Sequence, residues 1–495
     1  METTLYPYQE RDLNILFEKL TNSANGNRIL YQLPTGGGKT RIFSEIAKWY
    51  IDNNHRKVMV LTHRVELCSQ TATTLKKLGI KTKTINSAVK QLRRKDDNDC
   101  YVAMVETLRN RLKQGVIDPS TIGLVIIDEA HHNAFQKLLN KFPKAIVVGV
   151  TATPLSSNAE LPMNKTYQEL IIGESIGNLI SQGYLAKPTS WRYDVELNSL
   201  KTGTYGDFTI STSDELYSSN AMLELLLHAY ESHSKGKKTL IFNNGIFTSR
   251  NVCKLFEDAG YPVKHLDNRQ SASEREDVLK WFKKTKGAIL TSVSILTTGF
   301  DEPSVQTIIL NRATTSLTLY HQMIGRGSRS LPKKKTFTII DLGNNIERFG
   351  EWKAPVDWQL IFDRPEAFIE SMHHVTQEAR VISSDLRSKF PNTLQLSFDI
   401  QDAHQKAVDA GLKPMVVIRD SIRQHAMMCM ENSDSIAQAL ELTNELDQEI
   451  QWRVKQYGKC LGKVTRNYTD WLMTDYKSRL QTLIQKLMRG KLKAA

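Results

Sequence analysis

The chain has 495 residues and a formal net charge of +13 at neutral pH, with 40% hydrophobic and 24% charged residues. This length is too great for one hydrophobic core and fits two or three domains. The composition excludes an intrinsically disordered chain, which would contain fewer hydrophobic residues. The positive charge favours an anionic partner such as nucleic acid, although charge alone fits a merely soluble basic protein equally well.

The cysteines are odd in number and widely separated, and no CxxC pair occurs among them: Cys68, Cys100, Cys253, Cys429 and Cys460. This pattern favours neither a disulfide framework nor a structural zinc site. No run approaches eighteen apolar residues, and the first residues lack the apolar core of a signal peptide. We therefore expect a soluble cytoplasmic protein without zinc and without membrane contact.

Short apolar runs alternate with amphipathic segments between residue 28 and about residue 150. The runs are RILYQL, KVMVLT, CYVAMV, GLVIID and AIVVGV. Strand patterns that alternate with helical patterns predict parallel βαβ units. The alternation returns from Lys238 onward as TLIFNN, YPVKHL, GAILTS, VQTIIL and TFTIID. We therefore predict an α/β fold with two parallel-sheet lobes.

The segments outside these two regions have other patterns. Leu155 to Asn220 is polar and irregular, which indicates a connection plus an insertion at about residues 195–220. After about Pro365 the apolar residues follow helical spacing, as in SIAQALELTNELDQEIQWRV and DYKSRLQTLIQKLM. We predict a first lobe at residues 1–185, a second at 186–364 and a helical accessory domain at 365–495.

The end of the chain is strongly basic. From Gln451 to Ala495 there are eleven Lys and Arg residues but only two acidic ones, Asp470 and Asp475. Five aromatic residues are interleaved with these charges: Trp452, Tyr457, Tyr468, Trp471 and Tyr476. They fit a surface that grips a phosphate backbone and stacks on bases. They fit equally an aromatic core beneath a solvated basic face, and both interpretations stay open.

The segment LPTGGGKT lies between an apolar run and a helical pattern, as a phosphate-binding loop requires. Leu33 stands where the usual GxxxxGK[ST] pattern has its first glycine, so a chance glycine turn is the alternative. The backbone N–H groups of Gly36, Gly37 and Gly38 can surround a triphosphate because no Cβ obstructs them. Lys39 would contact the β and γ phosphates, and the Thr40 hydroxyl would reach Mg²⁺.

The segment LVIIDEAHH brings two carboxylates to the carboxyl end of a predicted strand. Ligands bind at this edge in open α/β sheets. We expect Asp128 to hold Mg²⁺, directly or through water. Glu129 would then polarise the attacking water, because phosphoryl transfer needs charge neutralisation and an oriented nucleophile. An exposed acidic pair without a preceding phosphate loop would more often be ordinary surface.

Together, LPTGGGKT and DEAH resemble motifs I and II of the superfamily 2 helicases, and further motifs follow in the family's order. YPYQ resembles the Q motif, VLTHRVEL motif Ia, VETLRNRL motif Ib and TATP motif III. The resemblance implies that Gln9 reads adenine and that Pro34 and Thr35 join the phosphate loop. It also implies nucleic-acid contacts and residues that couple hydrolysis to strand binding. The contacts are Thr62, Arg64 and Thr107, and the coupling residues are His131, Thr151 and Thr153.

The second half of the chain continues this resemblance. LTTGFDEPSV is similar to motif V, which implies strand contacts by Thr297 and Thr298 and places Gly299 and Asp301 near the ribose and phosphates. QMIGRGSR is similar to motif VI and supplies Gln322, Arg326 and Arg329. The two arginines face the same way on a helix and are expected to act as arginine fingers. Without this context such a pair would more often be a solvated face.

Within superfamily 2, SQGYLAKP, ILTTGFDEPSV and LYHQMIGRGSR are most similar to the RadD and UvrB-like group, which includes the ResIII restriction motor subunits. The resemblance implies two RecA-like P-loop lobes. It also implies an ATP hydrolase that uses ATP and Mg²⁺ to move along or unwind DNA, in repair, recombination or replication. The cysteine-rich zinc module that ends some RadD-like proteins has no counterpart here.

Other functions stay open at this point. One is a double-stranded DNA translocase that does not unwind, and another is an RNA helicase, since DEAH is compatible with both nucleic acids. A third is an ATP-gated scaffold that recruits partners through the helical tail. The scaffold is disfavoured because degenerate motors lose the residues that are present here: Lys39, Asp128, Glu129, Arg326 and Arg329. A nuclease is disfavoured because the tail lacks a carboxylate–lysine cluster.

Overall fold

The computed structural model describes most of the chain, and every structural statement below concerns these residues. They are 4–63, 65–86, 96–132, 135–158, 160–203, 206–293, 295–297, 300–370, 384–462 and 464–494. Three predicted site residues, Arg64, Thr298 and Gly299, lie outside them.

The first lobe is a seven-stranded parallel sheet in the order β3-β4-β2-β5-β6-β1-β7. Its strands are β1 Arg28–Gln32, β2 Lys57–Thr62, β3 Thr82–Ile85, β4 Cys100–Met104, β5 Ile122–Asp128, β6 Ile146–Thr151 and β7 Glu169–Ile172. Its helices are α1 Pro7–Thr21, α2 Lys39–Asn54, α3 Val65–Lys77, α4 Val105–Lys113, α5 Gln136–Leu139 and α6 Ile176–Ser181. All seven residues of β5 are buried, as expected for a central parallel strand covered on both faces.

The second lobe is a six-stranded parallel sheet in the order β10-β11-β9-β12-β13-β8. Its strands are β8 Lys187–Arg192, β9 Thr239–Asn243, β10 Val263–Leu266, β11 Ile289–Ser292, β12 Thr307–Asn311 and β13 Thr336–Asp341. Its helices are α7 Ile210–Tyr217, α8 Asn220–Ser234, α9 Ile246–Asp258, α10 Ala272–Lys284, α11 Leu317–Gly325, α12 Asn345–Phe349 and α13 Trp358–Asp363. The prediction of two parallel α/β lobes is therefore confirmed.

The stretch from Leu155 to Asn220 contains more regular structure than its polar sequence indicated. The edge strand β7, the helix α6 and the edge strand β8 lie within it, and α7 begins at Ile210. Edge strands need only one neighbour and one buried face, so they carry fewer apolar residues than central strands. The interpretation of this stretch as irregular was therefore wrong at these elements.

The C-terminal part is helical, as predicted. Its helices are α14 Ser384–Lys389, α15 Ile400–Asp409, α16 Met415–Glu431, α17 Ile436–Glu445, α18 Asp447–Cys460 and α19 Arg466–Ala494. They enclose a hydrophobic core of their own, in which Tyr457 and Tyr476 are buried. Trp471 is 52% exposed. The aromatic residues of the tail are therefore divided between a core and a surface.

A buried arginine attaches this helical part to the second lobe. The Arg387 guanidinium donates to the backbone carbonyl of Asp194, just beyond β8, and to three carbonyls within the helical part. The Asp194 carboxylate accepts in return from the amides of Leu396 and Ser397. These reciprocal bonds fix the helical part against the second lobe. The proposed boundaries at residues 185 and 364 stay a prediction.

Candidate functional site

The phosphate-type loop connects β1 to α2 at the carboxyl edge of the first sheet. Gly36 and Gly38 have φ angles of +94° and +87°, and α2 begins at Lys39. Glycine adopts these left-handed conformations without the steric cost of a side chain. A Cβ on Gly38 would lie 2.6 Å from Gln9 Nε2, so the loop is also closely packed. The sequence pattern therefore forms a tight turn that ends at a helix N-terminus.

The predicted adenine reader lies directly against this loop. Gln9 Nε2 donates to the Gly37 carbonyl at 3.3 Å, and Tyr8 Oη donates to the same oxygen at 2.7 Å. Gln9 Oε1 accepts from the Tyr6 amide at 3.0 Å. The rings of Tyr6 and Tyr184 lie 4.4 Å apart beside this contact. The Q-type segment therefore contacts the phosphate loop through Gln9 and Tyr8, and its Tyr6 ring lies against Tyr184.

The two predicted carboxylates lie at the carboxyl end of the central strand β5. Asp128 is its last residue, and Asp128 Oδ1 accepts from the Glu129 amide at 3.0 Å. Glu129 has a φ of +53°, which is a strained conformation for a residue with a Cβ. Its Oε2 atom is buried and finds no hydrogen-bond partner among the described residues. A buried acceptor without a donor is unfavourable, so this oxygen is arranged for a ligand or a water molecule.

The charges of the cleft shift the pKa values of these groups in opposite directions. Burial, followed by the charge of Glu129, raises the pKa of Asp128. Burial also acts to raise the pKa of Glu129, but Lys39 and His131 outweigh it and lower that pKa. Burial lowers the pKa of Lys39, against the attraction of both carboxylates. The pair therefore favours one ionised carboxylate, and a bound cation would favour two.

Motif VI of the second lobe reaches the phosphate loop. Arg329 Nη1 donates to the Gly36 carbonyl at 2.9 Å, and Arg329 Nε donates to Asp301 Oδ1 at 3.1 Å. The positive charges of Arg326 and Arg329 both act to lower the pKa of Lys39, so the three cations share one cleft. The glycine–lysine turn and the paired arginines therefore converge.

Two further contacts join the lobes near Glu129. The Nε2 atoms of Gln322 and His131 lie 3.3 Å apart, and Thr153 Oγ1 donates to Thr318 Oγ1 at 2.9 Å. His131 Nδ1 lies 3.0 Å from Thr151 Oγ1 and 3.5 Å from Glu129 Oε2. Burial lowers the pKa of His131 to about 3, so its ring is neutral at pH 7. His131 thus connects Glu129 to both TATP and motif VI.

Arg326 has a different environment from Arg329. Its Nη1 donates to the carbonyl of Phe300 at 2.5 Å, and its Nη2 donates to the carbonyl of Thr297 at 2.6 Å. In this structure the guanidinium therefore binds the backbone of the motif V loop. Its expected direct action on the γ phosphate stays a prediction.

Lys334 was not singled out from the sequence, yet it contacts both motifs V and VI. Its ammonium group donates to the carbonyls of Gly327 at 2.6 Å, Arg329 at 2.8 Å and Pro303 at 3.1 Å. Burial, then the charge of Arg329, lowers the pKa of Lys334 to about 8. Lys334 is the middle lysine of KKKT, and nothing in this run of lysines indicates that one of them is buried. Only the tertiary structure identifies this residue.

A second group that the sequence analysis missed is a cluster of aromatic rings beside Glu129, two of them histidines. The His63 ring lies 4.1 Å from the His132 ring and 4.3 Å from the Phe135 ring, between ring centroids. His63 also forms a hydrogen bond with the backbone of Glu129. The available sequence signals for this cluster were the second histidine of DEAHH, which is His132, and the histidine of THR, which is His63. This cluster joins the segment after β2 to Glu129, the residue with a positive φ.

The predicted strand-contacting residues are placed differently from one another. Thr62 is fully buried, and its Oγ1 lies 2.8 Å from Cys68 Sγ, so its hydroxyl faces the interior of the lobe. Thr107 is half-buried and, with Met104 and Asn86, lines a groove of about 370 Å³ beside α3. Thr297 is 5% exposed. Of these three, Thr107 is best placed for a direct contact.

The residues present fit Mg²⁺ and a triphosphate. The unpartnered Glu129 Oε2, the opposed pKa shifts of the two carboxylates and the left-handed glycines all favour an added cation and anion. Asp128 and the Thr40 hydroxyl are the groups expected to hold the metal. Thr40 is the second residue of α2, so its side chain lies at the same helix N-terminus.

Comparison with protein families agrees with this geometry. Residues 2–156 match the family described as type III restriction enzyme, res subunit, and residues 219–330 match the helicase conserved C-terminal domain. Both matched segments are domains of the superfamily 2 helicase type, and the first relates the chain to the ResIII group. As a member of this family of ATP-dependent enzymes, it is expected to use ATP in the cleft between its lobes.

A relative of this helicase is found in Saccharomyces cerevisiae, where it is assigned as the ATP-dependent helicase IRC3. The two are 32% identical over 335 residues, which is 63% of this chain and 48% of the yeast protein. The helicase therefore spans about half the length of this curated relative.

Solved structures show the same fold. An HsdR subunit fragment assigned to a type I restriction enzyme of Vibrio vulnificus YJ016 superposes with a TM-score of 0.55 at 22% identity, covering 70% of this chain and 65% of that one. The type ISP restriction–modification enzyme LlaBIII bound to DNA superposes with a TM-score of 0.53 at 15% identity, covering 98% and 40%. At these identities the likeness concerns the fold alone. No described helix is long and apolar enough to cross a membrane.

Proposed function

We propose that this helicase hydrolyses ATP with Mg²⁺ to move along or unwind DNA, in repair, recombination or replication. The observation that carries the proposal is the contact between Arg329 and Gly36, because it places a second-lobe cation against the first-lobe phosphate loop. A site divided in this way can hydrolyse only when the lobes are close together. Closure and hydrolysis are then coupled, as translocation requires.

The residues of the cleft have distinct roles in this proposal. Lys39 binds the β and γ phosphates, and Glu129 Oε2 accepts a proton from the attacking water. Arg329 neutralises charge on the γ phosphate from the opposite lobe. Mg²⁺, when bound, supplies positive charge that neutralises the phosphate oxygens. His131 and Gln322 orient Glu129 relative to motif VI, and Gln9 and Tyr6 hold the adenine end.

DNA is favoured over RNA as the substrate by one line of support. Residues 2–156 match the family of type III restriction enzyme res subunits, and restriction enzymes act on DNA. The net charge of +13 fits a polyanion of either kind and does not distinguish the two. Binding through phosphates predicts an affinity that falls steeply as salt increases.

The test is the rate of ATP hydrolysis across single-stranded, duplex, forked and junction DNA and RNA of the same lengths. The proposal expects stimulation by at least one DNA and weaker stimulation by RNA. Stimulation by RNA alone would identify an RNA helicase. Hydrolysis that no nucleic acid changes would contradict the proposal and favour the scaffold.

A second candidate is a double-stranded DNA translocase that does not separate strands. The match of residues 2–156 to a restriction motor subunit favours it. Displacement of a third strand from a triplex, without unwinding of a forked duplex, would identify the translocase. Unwinding of the fork would identify the helicase.

A further inference from the structure

Two large apolar side chains are exposed at one corner of the second lobe. Phe247, in the first turn of α9, is 61% exposed, and Ile210, the first residue of α7, is 59% exposed. We call these two residues the apolar rim. Contiguous exposed apolar groups indicate a binding surface, and the hydrogen bonds described next bring the ends of these two helices together.

Hydrogen bonds hold the two helix ends of the apolar rim together. Asp214 of α7 accepts from the amide of Thr248 at 3.3 Å and from its hydroxyl at 2.6 Å. The Asn244 side chain, at the end of β9, donates to Ser213 Oγ at 2.7 Å and to the Thr209 carbonyl at 3.4 Å. The rim is therefore part of a fixed scaffold at the carboxyl end of β9.

Four polar side chains support α9 from the sheet side. Ser249 Oγ lies 2.8 Å from His265 Nδ1 and 2.9 Å from Thr291 Oγ1, and His265 Nε2 lies 2.9 Å from Asp267 Oδ2. The Ser–His–Asp part of this network cannot act as a nucleophilic triad, because Ser249 is fully buried. The network connects α9 to β11 and to the end of β10.

Basic side chains flank the apolar rim. Arg250 lies one helical turn after Phe247 and is 60% exposed, with one contact to Asp267 at 3.4 Å. Arg269, just beyond β10, is also exposed. The carboxylates of Asp214 and Asp267 are occupied by the bonds described above. The surface therefore offers apolar area and positive charge, which complements an unpaired nucleotide with its flat base and its phosphate.

We propose that Phe247 stacks on an unpaired base of the bound strand, with Ile210 beside it and Arg250 and Arg269 on the adjacent phosphates. This inference rests on the proposed function, because it names the chemical group that the second lobe contacts. Phe247 lies at the carboxyl end of β9, and motif V follows β11 at the same edge of the sheet. A nucleic-acid strand that contacts motif V would therefore meet this aromatic ring. At a fork, stacking there stabilises the first unpaired base and opposes reannealing.

The test places the photoreactive residue p-benzoylphenylalanine at position 247, and at position 427 as a control. Met427 is 56% exposed on α16, away from the sheet ends. On irradiation with forked DNA, the variant at 247 is expected to cross-link to unpaired nucleotides near the junction, and the control is not. Cross-linking at 247 to a second copy of the chain, to paired nucleotides only, or to no DNA would overturn the proposal.

Three substitutions separate stacking from general apolar contact. Phe247→Ala is expected to reduce affinity for single-stranded DNA about tenfold, the usual effect of losing one base–aromatic stack. Phe247→Trp is expected to restore most of it, and Phe247→Leu is not. Equal affinities for all three variants would overturn stacking. Circular dichroism and the thermal midpoint show whether each variant is folded, and nucleic-acid-stimulated ATPase in the wild type tests the proposed function separately.

Discussion

Arg329 Nη1 donates a hydrogen bond to the Gly36 carbonyl at 2.9 Å, across 293 positions of sequence and between the two lobes. Gly36 belongs to the loop that is expected to hold the phosphates, so the arginine is already close to the position of a γ phosphate. When a triphosphate occupies the loop, we expect the guanidinium to exchange this carbonyl for a phosphate oxygen. The contact therefore joins the two lobes at the loop that is expected to hold the phosphates.

Arg329→Ala is expected to lower kcat about 10³-fold, the lower range for an arginine finger, with nucleotide affinity changed only slightly. Single-turnover hydrolysis and titration of a fluorescent nucleotide measure the two quantities. Arg419→Ala is the control, because Arg419 is 57% exposed in the helical part and paired with Asp420. A collapse of nucleotide affinity in Arg329→Ala would show that the residue binds rather than activates.

Glu129→Gln is expected to retain ATP binding and to lower hydrolysis by about 10² to 10⁴, the usual contribution of a general base. The amide keeps the shape of the side chain but cannot take a proton from water. Glu18→Gln, an exposed change on α1, serves as the control. Turnover of Glu129→Gln at the wild-type rate would assign the proton transfer to another group.

Much of the fold was predictable because central parallel strands must be apolar throughout. The runs that form β1, β2, β4, β5 and β6 in the first lobe, and β9, β11, β12 and β13 in the second, are visible in the sequence, as is the run of the edge strand β10. The strand β8, with the sequence KPTSWR, was not predicted, because an edge strand tolerates proline and polar residues. The same holds for β7 beside β1, which has only four residues.

The candidate site was predictable where residues are adjacent in sequence, as in the phosphate loop and DEAH. It was not predictable where a side chain acts on a distant backbone. Lys334 contacts three carbonyls of motifs V and VI, and His63 contacts the backbone of Glu129, neither of which leaves a local pattern. Burial of Thr62 was also invisible, because a threonine at the end of a strand fits either a surface or an interior.

Lys334→Met is expected to lower kcat about tenfold with a smaller change in the KM for ATP. The substitution removes the donors that fix the backbone of Arg329 and leaves buried carbonyls without partners. Lys335→Met is the matched control, because the neighbouring lysine is exposed and its ammonium group donates to Ser330 Oγ. Equal effects of the two substitutions would contradict a positioning role.

The pH dependence of wild-type kcat gives a further test of Lys334. Its pKa is lowered to about 8, so the folded protein loses this proton below the ordinary range for lysine. The neutral amine has one N–H donor fewer than the ammonium, so one carbonyl is released as pH rises. We expect kcat to fall with a midpoint near pH 8 in the wild type and not in Lys334→Met. The same decline in both proteins would assign it to another group.

Arg387→Met is expected to loosen the helical part from the second lobe. It removes a buried guanidinium that donates to four carbonyls, at a cost of about 3 kcal/mol. Amide hydrogen exchange at Leu396 and Ser397, which donate to Asp194, should become faster. Lys389→Met is the control, since Lys389 is exposed on the same helix. Unchanged exchange in Arg387→Met would show that other contacts hold the helical part.

The central claim is that Lys39 of one lobe and Arg329 of the other act on one triphosphate. Single-turnover ATP hydrolysis by Lys39→Met, Arg329→Met and the double variant tests it most directly. Residues that act as a unit show losses that do not multiply. The double variant is expected to hydrolyse ATP about as slowly as the slower single variant. A double variant whose loss is the product of the two single losses would contradict it.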